Sequence, residues 1–202
     1  MDYLRNETLK TIVNRHSIRT FNHELPVPDD CINTILYAAN QAPSAHNQQS
    51  WRFIVIRGAK RVDFASLISH KATHLPKPSS ALLRMAARSI ASAQAVIAVV
   101  NTGELIERGP QLFELEKEWA RDFFRIMEIQ SSAAAVENML LAATSMGLGA
   151  VWLGILILIK KDVLEFLGEP HGEFMAVIPV GYPTRLVTGP QKRNLDVIVR
   201  YL

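Results

Sequence analysis

Two short stretches concentrate the residues that could do chemistry. The first is Arg15-His16-Ser17-Ile18-Arg19. In an extended segment alternate side chains point the same way, so Arg15, Ser17 and Arg19 would present two guanidiniums and a hydroxyl together. Guanidinium forms forked, charge-assisted hydrogen bonds to phosphate oxygens. The segment therefore reads either as an anion site or as a solvated basic turn. The second stretch is Ala42-Pro43-Ser44-Ala45-His46-Asn47-Gln48-Gln49-Ser50-Trp51. Its small polar and amide side chains, closed by an indole, would suit a flat polar ring.

Other chemistries find little support. Gly147-Leu148-Gly149-Ala150-Val151-Trp152-Leu153-Gly154 follows a helical pattern, whereas a dinucleotide fingerprint follows a strand and opens a helix; its third glycine is also misplaced. His70 and His74 have the spacing of paired metal ligands. They lack the glutamate of a zinc protease motif and run into Pro76, so a surface pair is the simpler reading. The lone Cys31 permits no internal disulfide, which fits a reducing cytoplasm, and reads as a small core residue. No Ser–His–Asp set or carboxylate pair stands out. A net charge of +3 permits an anionic ligand, but lysines and arginines are scattered, and no nucleic-acid motif appears. No signal peptide or membrane-spanning run is visible, and a cytoplasmic location is expected.

The elements that must position these stretches follow from periodicity. The 202 residues are 49% hydrophobic and 20% charged, a length and composition for one globular domain over 1–202. Helices are predicted over Leu4–Asn14, from Asp29-Asp30 to before Pro43, over Lys60–His70, Ala81–Ala93 and Asp162–Leu167. Strands are predicted at Trp51–Ile56, Ala95–Val100, Ala150–Gly154, Phe174–Val180 and, last, Asp196–Leu202. Ile18–Asn22 reads as extended, and His74–Ser80 and Asn101–Pro110 as loops. The longest helical pattern carries Ile126, Ile129, Ala133, Val136, Leu140, Ala143 and Gly147 at alternating steps of three and four. That seam serves equally as domain core or as subunit interface. An α+β fold is the economical reading.

The ordered set of motifs resembles the FMN-dependent nitroreductase family. Arg15–Arg19 and Ala42–Phe53 match its two N-terminal signatures. Gly147–Gly154 and Pro179-Val180-Gly181-Tyr182-Pro183 match later landmarks, and Lys192-Arg193 a C-terminal phosphate contact. The resemblance spans roughly residues 10 to 195. It implies a dimeric three-layer α-β-α sandwich around a mixed, mainly antiparallel sheet, with FMN sites at the subunit interface. Non-covalent FMN would be held by Arg15, Ser17 and Arg19, by the backbone of His16, and at its phosphate by Lys192 and Arg193. Arg19 would lie nearest the flavin N1–O2 edge. Pro43, Ser44 and Asn47 would reach in from the partner subunit. Trp152, Leu153 and Gly154 would line the ring, with the Gly154 N–H toward N5. No side chain is expected to act as nucleophile, since flavin carries the hydride chemistry.

The activity implied is NAD(P)H oxidation coupled to reduction of a small nitroaromatic, quinone or related acceptor by a ping-pong mechanism. Specialised branches of the family (a reductive dehalogenase, a flavin-cleaving enzyme) share the same cradle, and a flavin-binding or redox-sensing protein is the alternative from another class. Residues 101–120 would form the variable lid, with Leu112, Phe113, Leu115 and Trp119 available either to cover an aromatic substrate or to pack onto the body. Two departures stand out. Ser50 replaces the proline usual before the tryptophan, and no basic residue for the flavin edge can be chosen among Arg57, Lys60 and Arg61.

Overall fold

The computed structural model describes residues 5–113, 116–185 and 188–202. Four strands, β1 (Trp51–Ile56), β2 (Ala95–Asn101), β3 (Gly149–Ala150) and β4 (Glu173–Gly181), form one antiparallel sheet in the order β1-β2-β4-β3. A single parallel bridge from Ser17 to Ala150 extends the β3 edge, so the sheet is mixed but mainly antiparallel.

The sheet is covered on both faces, which explains why β2 is a continuous apolar run rather than an alternating one. Ala95, Ile97 and Val99 pack into one core with α2 (Asp29–Asn40) and α6 (Lys117–Ser145). Val96, Ala98 and Val100 point the other way, onto α3 (Gly58–Ala72) and α4 (Lys77–Ser92). Each fully buried large aliphatic side chain, Ile35, Ile68, Leu83 or Ile90 among them, contributes roughly 1.5–3 kcal/mol. The three-layer arrangement is the one expected.

Strand and helix positions agree with the sequence reading where the pattern is local: β1 has the predicted ends and β2 runs one residue further. Leu4, the predicted start of the first helix, lies outside the described residues; α1 is Glu7–Asn14, capped by the Asn6 side chain accepting from Leu9 N–H at 3.0 Å. Four expectations need correction. His74–Ser80 is not all loop, because α4 begins at Lys77; Pro78 sits in its first turn, where the missing N–H costs nothing. Within Asn101–Pro110, Glu104 opens α5 (Glu104–Phe113), Gly109 is helical, and Pro110 lies inside the helix. The strand expected at Ala150–Gly154 ends at Ala150, after which Leu153 alone bridges to Val177. The tail is not a strand: Leu195–Ile198 forms one helical turn, α8, and Leu195, Val197, Tyr201 and Leu202 are exposed. In one chain it has no sheet edge beside it to complete a ladder.

The α6 seam divides. Val136, Leu140 and Ala143 are buried in the core, whereas Ile126 is exposed. None of the α1 residues is buried, and Leu9, Ile12 and Val13 leave an apolar face in solvent.

Candidate functional site

The basic segment is held against β3. Ile18 N–H donates to the Ala150 carbonyl at 3.0 Å, and Ile18 is buried. Gly149 makes that approach possible: a Cβ there would stand 2.7 Å from Ile18 Cβ. With Ile18 turned inward, Ser17 and Arg19 face solvent, and Arg15 is half-buried. Arg15 is not an isolated charge, since its Nε lies 3.4 Å from Glu137 Oε1 on α6. Part of the expected mutual repulsion is therefore already offset by a carboxylate. Arg19 makes no ion pair among the described residues.

Arg19 lines a recess of about 150 Å³ with Trp152, Leu153, Gly154 and the α4 residues Met85 and Ser89. Ser89 fixes the wall by donating its hydroxyl to the Arg19 carbonyl at 2.8 Å. The Gly154 N–H has no acceptor among the described residues. A second hollow continues along Arg19, Thr20, Arg88 and Ser92. Arg88 was missed from sequence; it lies on the exposed face of α4 and gains meaning only once Ser89 joins that helix to Arg19. Arg57 and Arg61 are engaged elsewhere. Arg57 pairs with Asp29, and Arg61 donates to the Ile90 and Ala91 carbonyls at the end of α4, its pKa lowered by burial. Lys60 lies 6.0 Å from the Phe166 ring centroid.

His16 lines a neighbouring cavity of about 140 Å³ with Gly147, Gly149 and Arg185. Its Nδ1 is 2.8 Å from the Asn14 carbonyl, and its buried Nε2 has no partner. The chain returns here at Gly189, where an added Cβ would be 3.0 Å from His16 Cβ. Lys192 and Arg193, three and four residues beyond, are exposed.

Pro43, Ser44 and Asn47 do not join this recess within one chain. Their loop docks on α5 and α6: Ala45 N–H donates to Ser131 Oγ at 3.1 Å, and Gln48 Nε2 donates to Glu104 at 3.2 Å. His46, Asn47 and Gln49 all have positive φ, between 51° and 53°. Such conformations cost roughly 1–3 kcal/mol each and persist where the surroundings over-determine them. Here Ser44 Oγ accepts from Gln49 N–H at 3.1 Å, and Trp51 Nε1 donates to Asn40 at 3.1 Å.

Glu128, also missed from sequence, supports the same region. It is 1% exposed, and its carboxylate accepts from Leu105 N–H at 2.8 Å and Gly103 N–H at 3.2 Å. The buried Ser50 hydroxyl lies near this carboxylate but makes no hydrogen bond. Desolvation raises the Glu128 pKa, and these donors offset only part of the rise. Ser50 therefore supplies a hydroxyl that proline lacks. Of the expected lid residues, Leu115 and the side chains of Leu112 and Phe113 lie outside the described part; Trp119 is 73% exposed on α6.

Among the described residues no His/Cys/Asp/Glu group is suited to hold a metal, and His70 and His74 contact only as an edge-to-face pair at 5.1 Å. No described helix is long and apolar enough to cross a membrane.

Comparison with known proteins identifies the family. A protein of Archaeoglobus fulgidus, named as a candidate NADH dehydrogenase/NAD(P)H nitroreductase, is 32% identical over 180 residues, covering 88% of this chain and 86% of the relative. A candidate nitroreductase from Desulfovibrio desulfuricans, crystallised in complex with FMN, superposes with a TM-score of 0.73 at 30% identity, covering 98% of this chain and 97% of that one. The FMN reductase (NADPH) of Bacillus subtilis is 26% identical over 183 residues, which are 90% of this chain and 68% of the relative. The model of the Nitroreductase family matches residues 12–182, and the chain belongs to that family.

Proposed function

We propose that this chain is an FMN-dependent NAD(P)H oxidoreductase that acts as a homodimer and reduces small nitroaromatic, quinone or related acceptors in alternating half-reactions. The observation that carries the reading is the recess in which Arg19, free of any ion pair among the described residues, stands beside Trp152, Leu153 and the unclaimed Gly154 N–H. A cation and an amide donor on one wall match a heterocycle that presents acceptor atoms along its edge and gains negative charge on reduction, so the donor set fits FMN.

In this assignment Arg15, Ser17, Lys192 and Arg193 hold the phosphate end, aided by the His16 backbone. Arg19 stabilises negative charge at the N1–O2 edge, and Arg88, beside it in the adjoining hollow, supplies the second cation. The Gly154 N–H donates toward N5. FMN, when bound, accepts hydride from the nicotinamide and passes it to the acceptor. The protein's own part is to hold fixed charge and dipoles where negative charge develops, so that little reorganisation is needed. Buried Leu153 and half-buried Trp152 keep water from one side of the site.

Pro43, Ser44 and Asn47 complete the site from the second subunit. Three features support this: their loop lies apart from the Arg19 recess in one chain, α1 leaves its apolar face uncovered, and the apolar tail has no cover. Arg19→Ala and Asn47→Ala chains, each poor in FMN alone, should recover FMN retention when their subunits re-assort. No recovery would place both residues in one subunit's site or in none.

The decisive test is colour. Purified protein should be yellow, bleach with NADH or NADPH, and regain absorbance on adding a nitroaromatic or quinone. Colourless protein that FMN cannot reconstitute would sink the proposal. A second reading has one observation behind it: a 5,6-dimethylbenzimidazole synthase of Rhodospirillum rubrum is 27% identical over 176 residues. Permanent loss of flavin absorbance during aerobic turnover would favour a flavin-cleaving activity.

A further inference from the structure

Glu128 is a buried carboxylate that the flavin assignment does not use, and its contacts join two segments far apart in sequence. On one side are the amides of Gly103 and Leu105, at the start of α5. On the other is Ser50, the last residue of the loop that carries Pro43, Ser44 and Asn47, its buried hydroxyl near the carboxylate without bonding to it. Ser50 is tied to the same place through its backbone, since Thr102 N–H donates to its carbonyl at 3.2 Å. Further out, Gln48 meets Glu104 and Arg108 of α5. The start of α5 has no local side-chain cap strong enough to replace this carboxylate: Thr102 Oγ1 is 3.5 Å from Glu104 N. Meanwhile the loop holds three non-glycine residues at positive φ, a shape that needs external support.

We infer that Glu128 is a positioning residue that fastens the first turn of α5 to the Pro43–Ser50 loop, so that lid helix and flavin-reaching loop hold or move as one unit. The inference rests on the proposed function in naming that loop as flavin-reaching and on the family resemblance in naming α5 as a lid; the mechanical coupling stands on the contacts alone. Its consequence is that acceptor access over α5 and the grip of the loop on the cofactor are set by one side chain. The tie reaches the loop through Thr102, next to the Glu128-bound Gly103, whose N–H holds the Ser50 carbonyl.

Hydrogen exchange on the FMN-loaded wild type, Glu128→Gln and Thr102→Pro decides the matter. Glutamine keeps the shape but turns an amide donor toward backbone N–H groups. Exchange should quicken about tenfold or more at 103–106, as expected for loss of hydrogen bonds to a charged acceptor, and also across 44–50. FMN affinity should fall severalfold, and KM for the acceptor should change more than kcat. Faster exchange at 103–106 with unchanged 44–50 and unchanged FMN affinity would overturn the inference, leaving Glu128 a simple helix cap. If Glu128→Gln does not fold, Thr102→Pro, which removes the N–H that holds the Ser50 carbonyl, carries the test: quickened exchange across 44–50 supports the coupling, and an effect confined to 103–106 refutes it. Should the wild type bind no FMN, the functional reading fails, while the exchange comparison on the same protein still decides the coupling.

Discussion

Gly149→Ala is the sharpest probe of how the basic segment is held. A Cβ at 149 would lie 2.7 Å from Ile18 Cβ and Cγ2 and 2.9 Å from Cγ1. Because Ile18 Cβ is among these atoms, no rotamer change relieves the overlap; the backbones must separate. Separation strains the Ile18 N–H to Ala150 carbonyl bond, which is 3.0 Å long. Overpacking costs about 1–3 kcal/mol and a lost backbone hydrogen bond about 1 kcal/mol, so the variant should lose about 2–4 kcal/mol. For a chain of this size each kcal/mol lowers Tm by about 2–4 °C, giving a fall of about 4–16 °C. Arg15, Ser17 and Arg19 move with Ile18. FMN affinity, read by flavin fluorescence on titrating the apoprotein, should fall at least tenfold, about 1.4 kcal/mol of binding. A variant with lowered Tm but unchanged FMN affinity would show that the segment does not hold the cofactor. One with neither changed would show that the Gly149 contact is not what seats it.

Arg19→Ala should weaken FMN binding by roughly 1.5–3 kcal/mol, the usual contribution of a charge-assisted bond, and Arg15→Ala by less, because Glu137 already engages Arg15; equal retention in both variants and wild type would make the cluster a surface turn. Gly109→Ala would place a methyl 2.2 Å from the buried Phe124 ring, and overpacking of roughly 1–3 kcal/mol should outweigh the helix-propensity gain of about 1 kcal/mol, so a raised Tm would refute the α5–α6 packing. Glu128 gives a pH prediction. Burial raises its folded pKa above the unfolded value, so the folded state holds the extra proton, and this group's stability contribution is full below the unfolded pKa and lost as pH rises through the folded pKa. The denaturation free energy of wild type minus that of Glu128→Gln should therefore shrink from acid toward neutral pH; growth of the difference would reverse the assignment.

What was legible in sequence was what local patterns determine. The β-branched run of β2 and the 3.6-residue spacing of α2 need no knowledge of the rest of the chain. The missed features depend on distant partners. α5 contains a proline at 110 and begins after Gly103 at φ +82°; composition there reads as loop, and the compensation comes from Glu128 in another helix. Arg88 looks like any surface cation until Ser89 is seen bonded to Arg19. Arg57 and Arg61 were considered for the flavin edge because of their position after β1, and only tertiary contacts show them engaged elsewhere. At Ser50 the sequence shows only a departure from proline; that its hydroxyl is buried near a carboxylate depends on Glu128, far along the chain.

The two stretches that open the sequence are also the two that one chain keeps apart. Arg15–Arg19 is seated on β3 by Gly149, and its recess is walled by α4 and residues 152–154. The Pro43–Ser50 loop is instead seated on α5 and α6 and held in a left-handed shape by Ser131, Ser44 and Thr102 contacts. Strain of that kind has no use in a loop that merely connects α2 to β1, since a relaxed turn would do so at lower cost. It has a use if the loop must present Pro43 and Asn47, both exposed in one chain, to a surface beyond that chain. The uncovered apolar face of α1 and the exposed tail carrying Lys192 and Arg193 point the same way. On the proposed reading a single subunit holds two half-sites, each pre-shaped by its own scaffold, and pairing of subunits would bring unlike halves together around one cofactor.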